Sequence, residues 1–219
     1  MIMGYTVYVC DTETTGLDPQ VHDIIEVCFW RIGDDESKTW CLKPVNVDDI
    51  SDEALHVNKH KREDILHLTE EGREKYLLAE DTLPEIEMWF MEDGAAAEER
   101  IFVGQNPKFD YDFLLDLWKR NNSSDTFPFG YWRDSRTGKE RFNVGYLIDT
   151  INLARIVDLC TDKRRPYYNL MSLVKDYGVT RATAHRADGD TKMTKELFEK
   201  IIGVIKGPIV EGLSDCYPK

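Results

Sequence analysis

The run Tyr5-Thr-Val-Tyr-Val-Cys-Asp-Thr-Glu-Thr-Thr-Gly16 decides how the rest of the chain is read. Its β-branched and aromatic residues over 5–12 predict a buried strand, and Thr14-Thr15-Gly16 predicts the turn that ends it. Side chains in a strand alternate faces, so Val7, Val9, Asp11 and Glu13 share one side while Tyr8, Cys10 and Thr12 share the other. Two acids therefore project together from the end of a core strand. Like charges this close raise each other's pKa unless a cation offsets them, and a buried ionised carboxylate carries a large desolvation penalty. A solvated strand end and a metal site both fit this segment, and the purely apolar strand leading into the pair favours the metal.

Outward from that strand, similar runs recur at Ile24–Ile32 and Lys38–Leu42. They predict an antiparallel meander with a Gly33-Asp34-Asp35 turn before its third strand. From Ser51 the texture becomes helical, with a cap at Ser51 or Asp52 and a further helix over about Leu83–Met91. Ile101–Gly104 is a short strand, Asn106-Pro107 breaks the chain, and an amphipathic helix follows from about Phe109 to Arg120. Leu147–Ile148 reads as another strand. Thr150–Leu159, Asn169–Tyr177 (stopped by Gly178) and Gly189–Ile202 read as helices. Three leading strands followed by alternating helix and strand predict an α/β fold.

Two further acids stand where core residues are expected. Phe113, Leu114 and Leu117 are the i+3, i+4 and i+7 neighbours of Asp110, which puts its carboxylate on or beside the apolar stripe. Complementing the helix dipole explains such an acid as readily as a site does. His185 and Asp190 lie where a loop meets the last helix and can converge on one point, although a structural histidine and a helix cap at Asp188 are equally ordinary.

Composition sets the outer bounds. The chain has 219 residues, 42% apolar and 32% charged, with net charge −13. That predicts one domain with a sizeable core rather than a disordered chain. No apolar run is long enough for a membrane span, and Met1–Cys10 carries neither a basic leader nor a cleavable apolar stretch, so a cytoplasmic protein is expected. Five cysteines at 10, 28, 41, 160 and 216, with no C-x-x-C pair, argue against a disulfide framework or structural zinc. Cys10 and Cys28 fall in apolar runs and read as small core residues. The acidic balance argues against nucleic-acid binding over the whole surface, since phosphate neutralisation needs clustered Lys and Arg. It leaves room for a local basic track or a cation-dependent active site.

Taken together, these segments resemble the DEDD family of 3′→5′ exonucleases in its histidine-bearing, DnaQ-like branch. Asp11-Thr-Glu13-Thr-Thr-Gly-Leu-Asp is similar to the first exonuclease motif, and Val103-Gly-Gln-Asn-Pro-Lys-Phe-Asp110-Tyr-Asp-Phe-Leu to the second. His185-Arg-Ala-Asp-Gly-Asp190 is similar to the third, with the family's five-residue step from histidine to aspartate. Leu147-Ile-Asp149-Thr and Tyr168-Asn-Leu-Met-Ser-Leu resemble the strand and helix that precede it. The order is right and the motifs span most of the chain. Where family members often carry His-Gly, after a stretch resembling Ile50–Val57, this chain has Asn58-Lys59. Segments near 66–78 and 121–144 read as insertions into a single exonuclease domain, and Asp149 as a structural acceptor or helix cap.

The resemblance implies a ribonuclease-H-like fold: a mixed five-stranded sheet flanked by helices. It implies that Asp11, Glu13, Asp110 and Asp190 ligate two divalent cations, Mg²⁺ or Mn²⁺, with His185 as general base. Hard oxygen ligands suit those ions, and four carboxylates nearly neutralise two dications. Two cations clamp the attacking and leaving oxygens of an in-line phosphoryl displacement. Thr14, Thr15, Gly16, Leu17, Asn106 and Phe109 are implied as substrate-binding, with Leu17 and Phe109 packing against the terminal base. Such packing reads no base edge, so little sequence preference is expected.

Between Tyr131 and Phe142 a predicted hairpin carries Arg133, Arg136, Lys139 and Arg141 with Tyr131, Trp132 and Phe142. That is the composition of a single-strand track, and equally that of a charged hairpin with an aromatic foot in the core. The expected substrate is the 3′ end of a single strand, released as nucleoside 5′-monophosphates, with DNA of the proofreading or repair kind preferred. RNA trimming in the manner of oligoribonuclease or ribonuclease T is the alternative. An inactive accessory or nucleic-acid-binding subunit and a small-molecule phosphodiesterase are readings from other classes. A DNA polymerase as partner and the oligomeric state stay open at this point.

Overall fold

The opening run forms β1 (Thr6–Thr14), with β2 (Ile24–Ile32) and β3 (Glu36–Cys41) folded back beside it as the antiparallel meander its sequence predicts. The computed structural model describes residues 4–33, 36–133, 136–137, 140–142, 147–181 and 186–213, with backbone alone at 124, 131–133, 140–142 and 207–213. On the other side of β1 lies β4 (Arg100–Gly104), parallel to it. After the hairpin of β5 (Tyr131–Arg133) and β6 (Glu140–Phe142) comes β7 (Leu147–Asp149), parallel to β4. The strand order β3-β2-β1-β4-β7 makes a mixed five-stranded sheet with β1 at its centre.

Helices cover both faces. In chain order they are α1 (Asp52–Asn58), α2 (Arg62–Ile65), α3 (Glu70–Lys75), α4 (Ala79–Met91), α5 (Pro107–Arg120), α6 (Thr150–Cys160), α7 (Leu170–Asp176) and α8 (Ala187–Leu213). One sheet face, with Tyr8, Cys10, Val27, Phe29 and Phe102, packs on α4 and α5 in a core rich in aromatic rings. Tyr8 lies 4.7 Å from Phe90 and Phe29 5.0 Å from Phe90, in tilted and edge arrangements. A fully buried ring of this size stabilises by roughly 1.5–3 kcal/mol through area alone, so this half anchors the sheet. The other face, with Val7, Val9 and Val103, meets Phe198 of α8, and α8 in turn buries Met193, Leu197 and Ile201 against α6 and α7. The alternation read from β1 thus sends Asp11 and Glu13 toward α8.

Several boundaries differ from expectation for local reasons. The helix predicted from Leu83 begins at Ala79, with Pro84 inside it. Its acids Glu80 and Asp81 suit a helix start. The carbonyl freed by Pro84 is that of exposed Glu80, where water can satisfy it. Pro107 opens α5 instead of only breaking the chain, at the first helical position where its missing N–H costs nothing. Asn106 takes the turn before it at φ 62°. The last helix starts before Gly189 and runs past Ile202 to Leu213. The segment near 66–78 holds α3 and a bridge from Leu77 to Leu42 beside the meander. Asp149 caps α6 as expected, accepting from Ile151 N–H at 2.9 Å. Cys10 and Cys28 are buried free thiols. Among the described residues no helix is long and apolar enough to cross a membrane.

Candidate active site

Three of the four acids singled out by sequence meet at the end of β1. Asp11 and Glu13 arrive on its α8-facing side, and the first turn of α8 brings Asp190 to the same place. One oxygen from each lies within 4.8 Å of the others. Asp110, from α5, is buried on the opposite flank. Its Oδ1 accepts both the Thr12 N–H at 2.9 Å and the Thr12 hydroxyl at 2.7 Å, so the strand's alternation ties the fourth acid to the residue between the first two. His185 lies outside the described residues.

The electrostatics of this end are those of crowded like charges. Burial pushes Asp11 well above the ordinary 3.8, and the charges of Asp110, Glu13 and Asp190 push it further. Glu13 rises to about 8, through burial first and then Asp190, Glu26 and Asp110, against the opposing Arg186. Asp110 rises to about 7 through burial, with the Thr12 hydrogen bonds pulling the other way. Acids raised this far are at most partly ionised at neutrality until positive charge arrives. All the donors are hard carboxylate oxygens, the set that suits Mg²⁺ or Mn²⁺ rather than a thiophilic ion. The residues present therefore fit divalent cations.

Beside the acids opens a cleft of about 550 Å³ lined by Thr12, Glu13, Thr14, Gly16, Leu17, His22 and Phe109, and by Ser51, Glu53, Ala54, Val57 and Asn58 of the α1 region. Leu17 projects into solvent at 83% exposure, next to the half-buried Phe109. An apolar side chain left that bare at a cleft mouth is placed to meet a planar ligand. The loop behind it is pinned by Thr15 N–H to Asp23 O and Ser51 N–H to Thr15 O, both 2.8 Å. A Cβ at Gly16 would stand 2.0 Å from the His22 ring, so any other residue there forces that ring to shift.

Of the other residues implied as substrate-binding, Thr14 donates to Gly16 O at 2.6 Å and lines the cleft. Thr15 is fully buried and its Oγ1 accepts from Asp23 N–H, while Asn106 N–H donates to Asp149; neither lines the cleft. In place of the family's usual His-Gly, buried Asn58 lines the cleft and donates from Nδ2 to Thr14 O at 3.0 Å, and Lys59 ends α1 at φ 62°. The basic hairpin forms, pairing Trp132 with Arg141 and Arg133 with Glu140. Arg136 is exposed near its tip and Lys139 lies outside the described residues. His22 and Glu26 escaped the sequence reading, Ser51 was read only as the helix cap it also is, and Asn58 only as a departure from the family's usual His-Gly. Glu26 left a signal, being the one acid inside the otherwise apolar core of Ile24–Trp30.

Residues 8–198 match the exonuclease family RNase_T. The chain is 30% identical over 220 residues to the PolC-type DNA polymerase III of Thermotoga petrophila, a match covering 96% of this chain and 13% of that protein. It therefore spans only about 13% of the length of the curated relatives it matches. Among solved structures it resembles E. coli exonuclease I in complex with a dT13 oligonucleotide, with TM-score 0.67, 18% identity and coverage of 95% of this chain and 43% of that one. It likewise resembles the zinc-bound form of an E. coli exonuclease I complex with single-stranded DNA, with TM-score 0.67, 18% identity and coverage of 96% and 43%. At these identities the likeness is one of fold.

Proposed function

The chain belongs to the RNase_T exonuclease family of the DEDD superfamily, and we propose that it is a divalent-cation-dependent 3′→5′ exonuclease that releases nucleoside 5′-monophosphates from single-stranded ends, with DNA preferred. The observation that carries this reading is the convergence of Asp11, Glu13 and Asp190 within 4.8 Å, beside a cleft with apolar Leu17 and Phe109 at its edge. DNA comes first because the PolC-type relatives are DNA polymerases by name and exonuclease I is described with single-stranded DNA. A single exonuclease domain over residues 1–219, in the cytoplasm and with a DNA polymerase as candidate partner, belongs to the same proposal.

In this reading Asp11, Glu13, Asp110 and Asp190 hold two cations, Mg²⁺ or Mn²⁺. When bound, these supply positive charge to the attacking and leaving oxygens of an in-line displacement at the terminal phosphodiester. Leu17 and Phe109 pack on the last base, and Asn58 keeps the Thr14 carbonyl and the strand end rigid beside it. His185, as in the histidine-bearing branch, accepts the proton of the attacking water at an imidazole nitrogen, within reach of neutral pH for a group whose unperturbed pKa is about 6.5. The 3′ oxygen of the penultimate nucleotide leaves, and a nucleoside 5′-monophosphate is freed.

The test is digestion of matched 5′-labelled DNA and RNA oligonucleotides with Mg²⁺, Mn²⁺ or chelator. The expected result is a ladder shortening from the 3′ end, faster on DNA, that vanishes with chelator. Faster loss of the RNA would transfer the reading to RNA trimming. No shortening of either strand with either ion would leave an inactive accessory subunit as the better account.

A further inference from the structure

We propose that Glu26 is a positioning residue for the exonuclease site: its buried carboxylate clamps the start of α8 and thereby holds Asp190 against Asp11 and Glu13. The inference rests on the exonuclease reading only for its activity readout.

Glu26 sits inside β2 with no exposed surface, directly across the strands from Glu13. A carboxylate taken wholly out of water persists only where donors surround it. Here Oε1 accepts the Ala187 N–H at 3.0 Å and Oε2 pairs with the Arg186 Nη2 at 2.9 Å. His60 Nε2 stands 3.2 Å from Oε2, close enough to pair though not aligned as a hydrogen bond. Burial opposes ionisation, yet the His60 ring and the Arg186 guanidinium outweigh it and hold the carboxyl down at about 2.

Those partners are not scattered. Arg186 and Ala187 are the residues at which the 27-residue helix α8 begins, and the first N–H groups of a helix have no acceptor within it. Glu26 supplies one from the sheet, with its charge matched to the positive helix end. The first turn then closes from Asp190 N–H to Arg186 O at 3.0 Å. Asp190 is thus one helical turn from the clamp, a lever of roughly 5 Å. Both ends of the lever are referred to the same pair of strands, because Glu26 and Glu13 are register partners. The segment near 66–78, which looked like a mere insertion, joins in through Tyr76, whose hydroxyl lies 2.6 Å from His60 Nδ1. Its burial keeps the ring turned toward Glu26.

The experiment compares Glu26→Gln and Arg186→Met with wild type, and with Asp93→Asn, which breaks another ion pair of largely buried side chains at the far end of β1. Three quantities are read: Mn²⁺ affinity by calorimetry without substrate, amide exchange in the first turn of α8 in metal-free protein, and kcat and KM on a single-stranded oligonucleotide. Residues that orient metal ligands from outside the ligand shell typically alter affinity or activity by roughly 10–100-fold. Glu26→Gln is expected to weaken Mn²⁺ binding by about tenfold, to speed first-turn exchange, and to lower kcat with KM nearly unchanged. Arg186→Met should act in the same direction less strongly, and Asp93→Asn should lower Tm while leaving Mn²⁺ affinity and kcat alone. If Glu26→Gln does not fold, Arg186→Met decides by the same readouts. Wild-type Mn²⁺ affinity and exchange in the folded variants would reduce Glu26 to a buried ion pair and overturn the proposal. A wild type that binds Mn²⁺ but degrades nothing would remove the exonuclease reading, with affinity and exchange still deciding on the clamp. A wild type that binds no Mn²⁺ overturns both.

Discussion

The two ends of β1 treat buried acid in opposite ways. At one end the Tyr8 hydroxyl donates to Asp93 at 2.6 Å, Arg100 donates from Nε and Nη2 at 2.9 and 2.7 Å, and the Ala95 N–H adds a bond at 2.8 Å. Burial pushes Asp93 up, but the Arg100 and Tyr8 hydrogen bonds win and hold its carboxyl below the ordinary range. Only three residues beyond Tyr8, roughly 10 Å along the strand, Asp11, Glu13 and Asp190 face one another and Asp11 and Glu13 are driven upward. The chain is therefore able to neutralise buried carboxylates with its own donors. Where it crowds acids instead, the ionised state awaits charge from outside. Glu26 stands between the two cases, fully compensated yet coupled to the crowded end through α8.

The strongest way to break this contrast is Asp11→Ala. It should abolish exonuclease turnover, since a cation site loses a ligand, while relieving repulsion in the metal-free protein. Melting in chelator is expected to place the variant at or above wild type, by roughly 2–4 °C for each kcal/mol relieved. Oligonucleotide degradation at the wild-type rate would remove Asp11 from the site.

Next in size is His185→Ala, which touches the proposed proton acceptor and none of the carboxylates. A drop in kcat of roughly 10²–10⁴-fold, the usual worth of a positioned base, is expected with the Mn²⁺ isotherm unchanged. Near-normal kcat across the pH range would make the histidine structural.

Asp93→Asn sharpens the comparison from its other side. Removing one member of a buried pair costs about 3–5 kcal/mol, which for a chain of this length lowers Tm by roughly 10 °C. Activity measured well below that Tm should match wild type. A large loss of kcat would mean that the two ends of β1 are not separate devices.

What was legible in the sequence follows the range of the forces involved. Ile24–Ile32 matches β2 residue for residue because an apolar, β-branched run carries its own reason to be a strand. Asp11 and Glu13 were found because alternation is local, and Asp110 because an acid on an apolar stripe is anomalous wherever it stands. Glu26 was passed over although it sits in the same kind of run. Its burial is made tolerable by His60 and Arg186, which reach it only through the fold. The early start of α8 was missed for the same reason, since the acceptor for the Ala187 N–H comes from β2 and leaves no mark beside Ala187. The start of α4 was placed late because its first turn, Ala79-Glu80-Asp81-Thr82, carries no apolar period to read before Leu83.

The central claim is that the acids at the end of β1 are held above their ordinary pKa until cations arrive, and melting across pH tests it most directly. Glu13 titrates near 4.5 when unfolded and about 8 when folded. Between those values the unfolded state has released a proton that the folded state retains, so folding stability falls as pH rises through that window and levels off above it. Glu26, held down at about 2, acts in the opposite sense, its contribution present above about 4.5 and lost as pH falls toward 2. In chelator, Tm is therefore expected to decline from about pH 5 to about pH 8. Excess Mg²⁺ should restore it by an amount that grows across the same window, because the cation binds the ionised cluster of the folded state alone. A metal-free Tm that stays level or climbs over that range, with a Mg²⁺ shift independent of pH, would contradict the account.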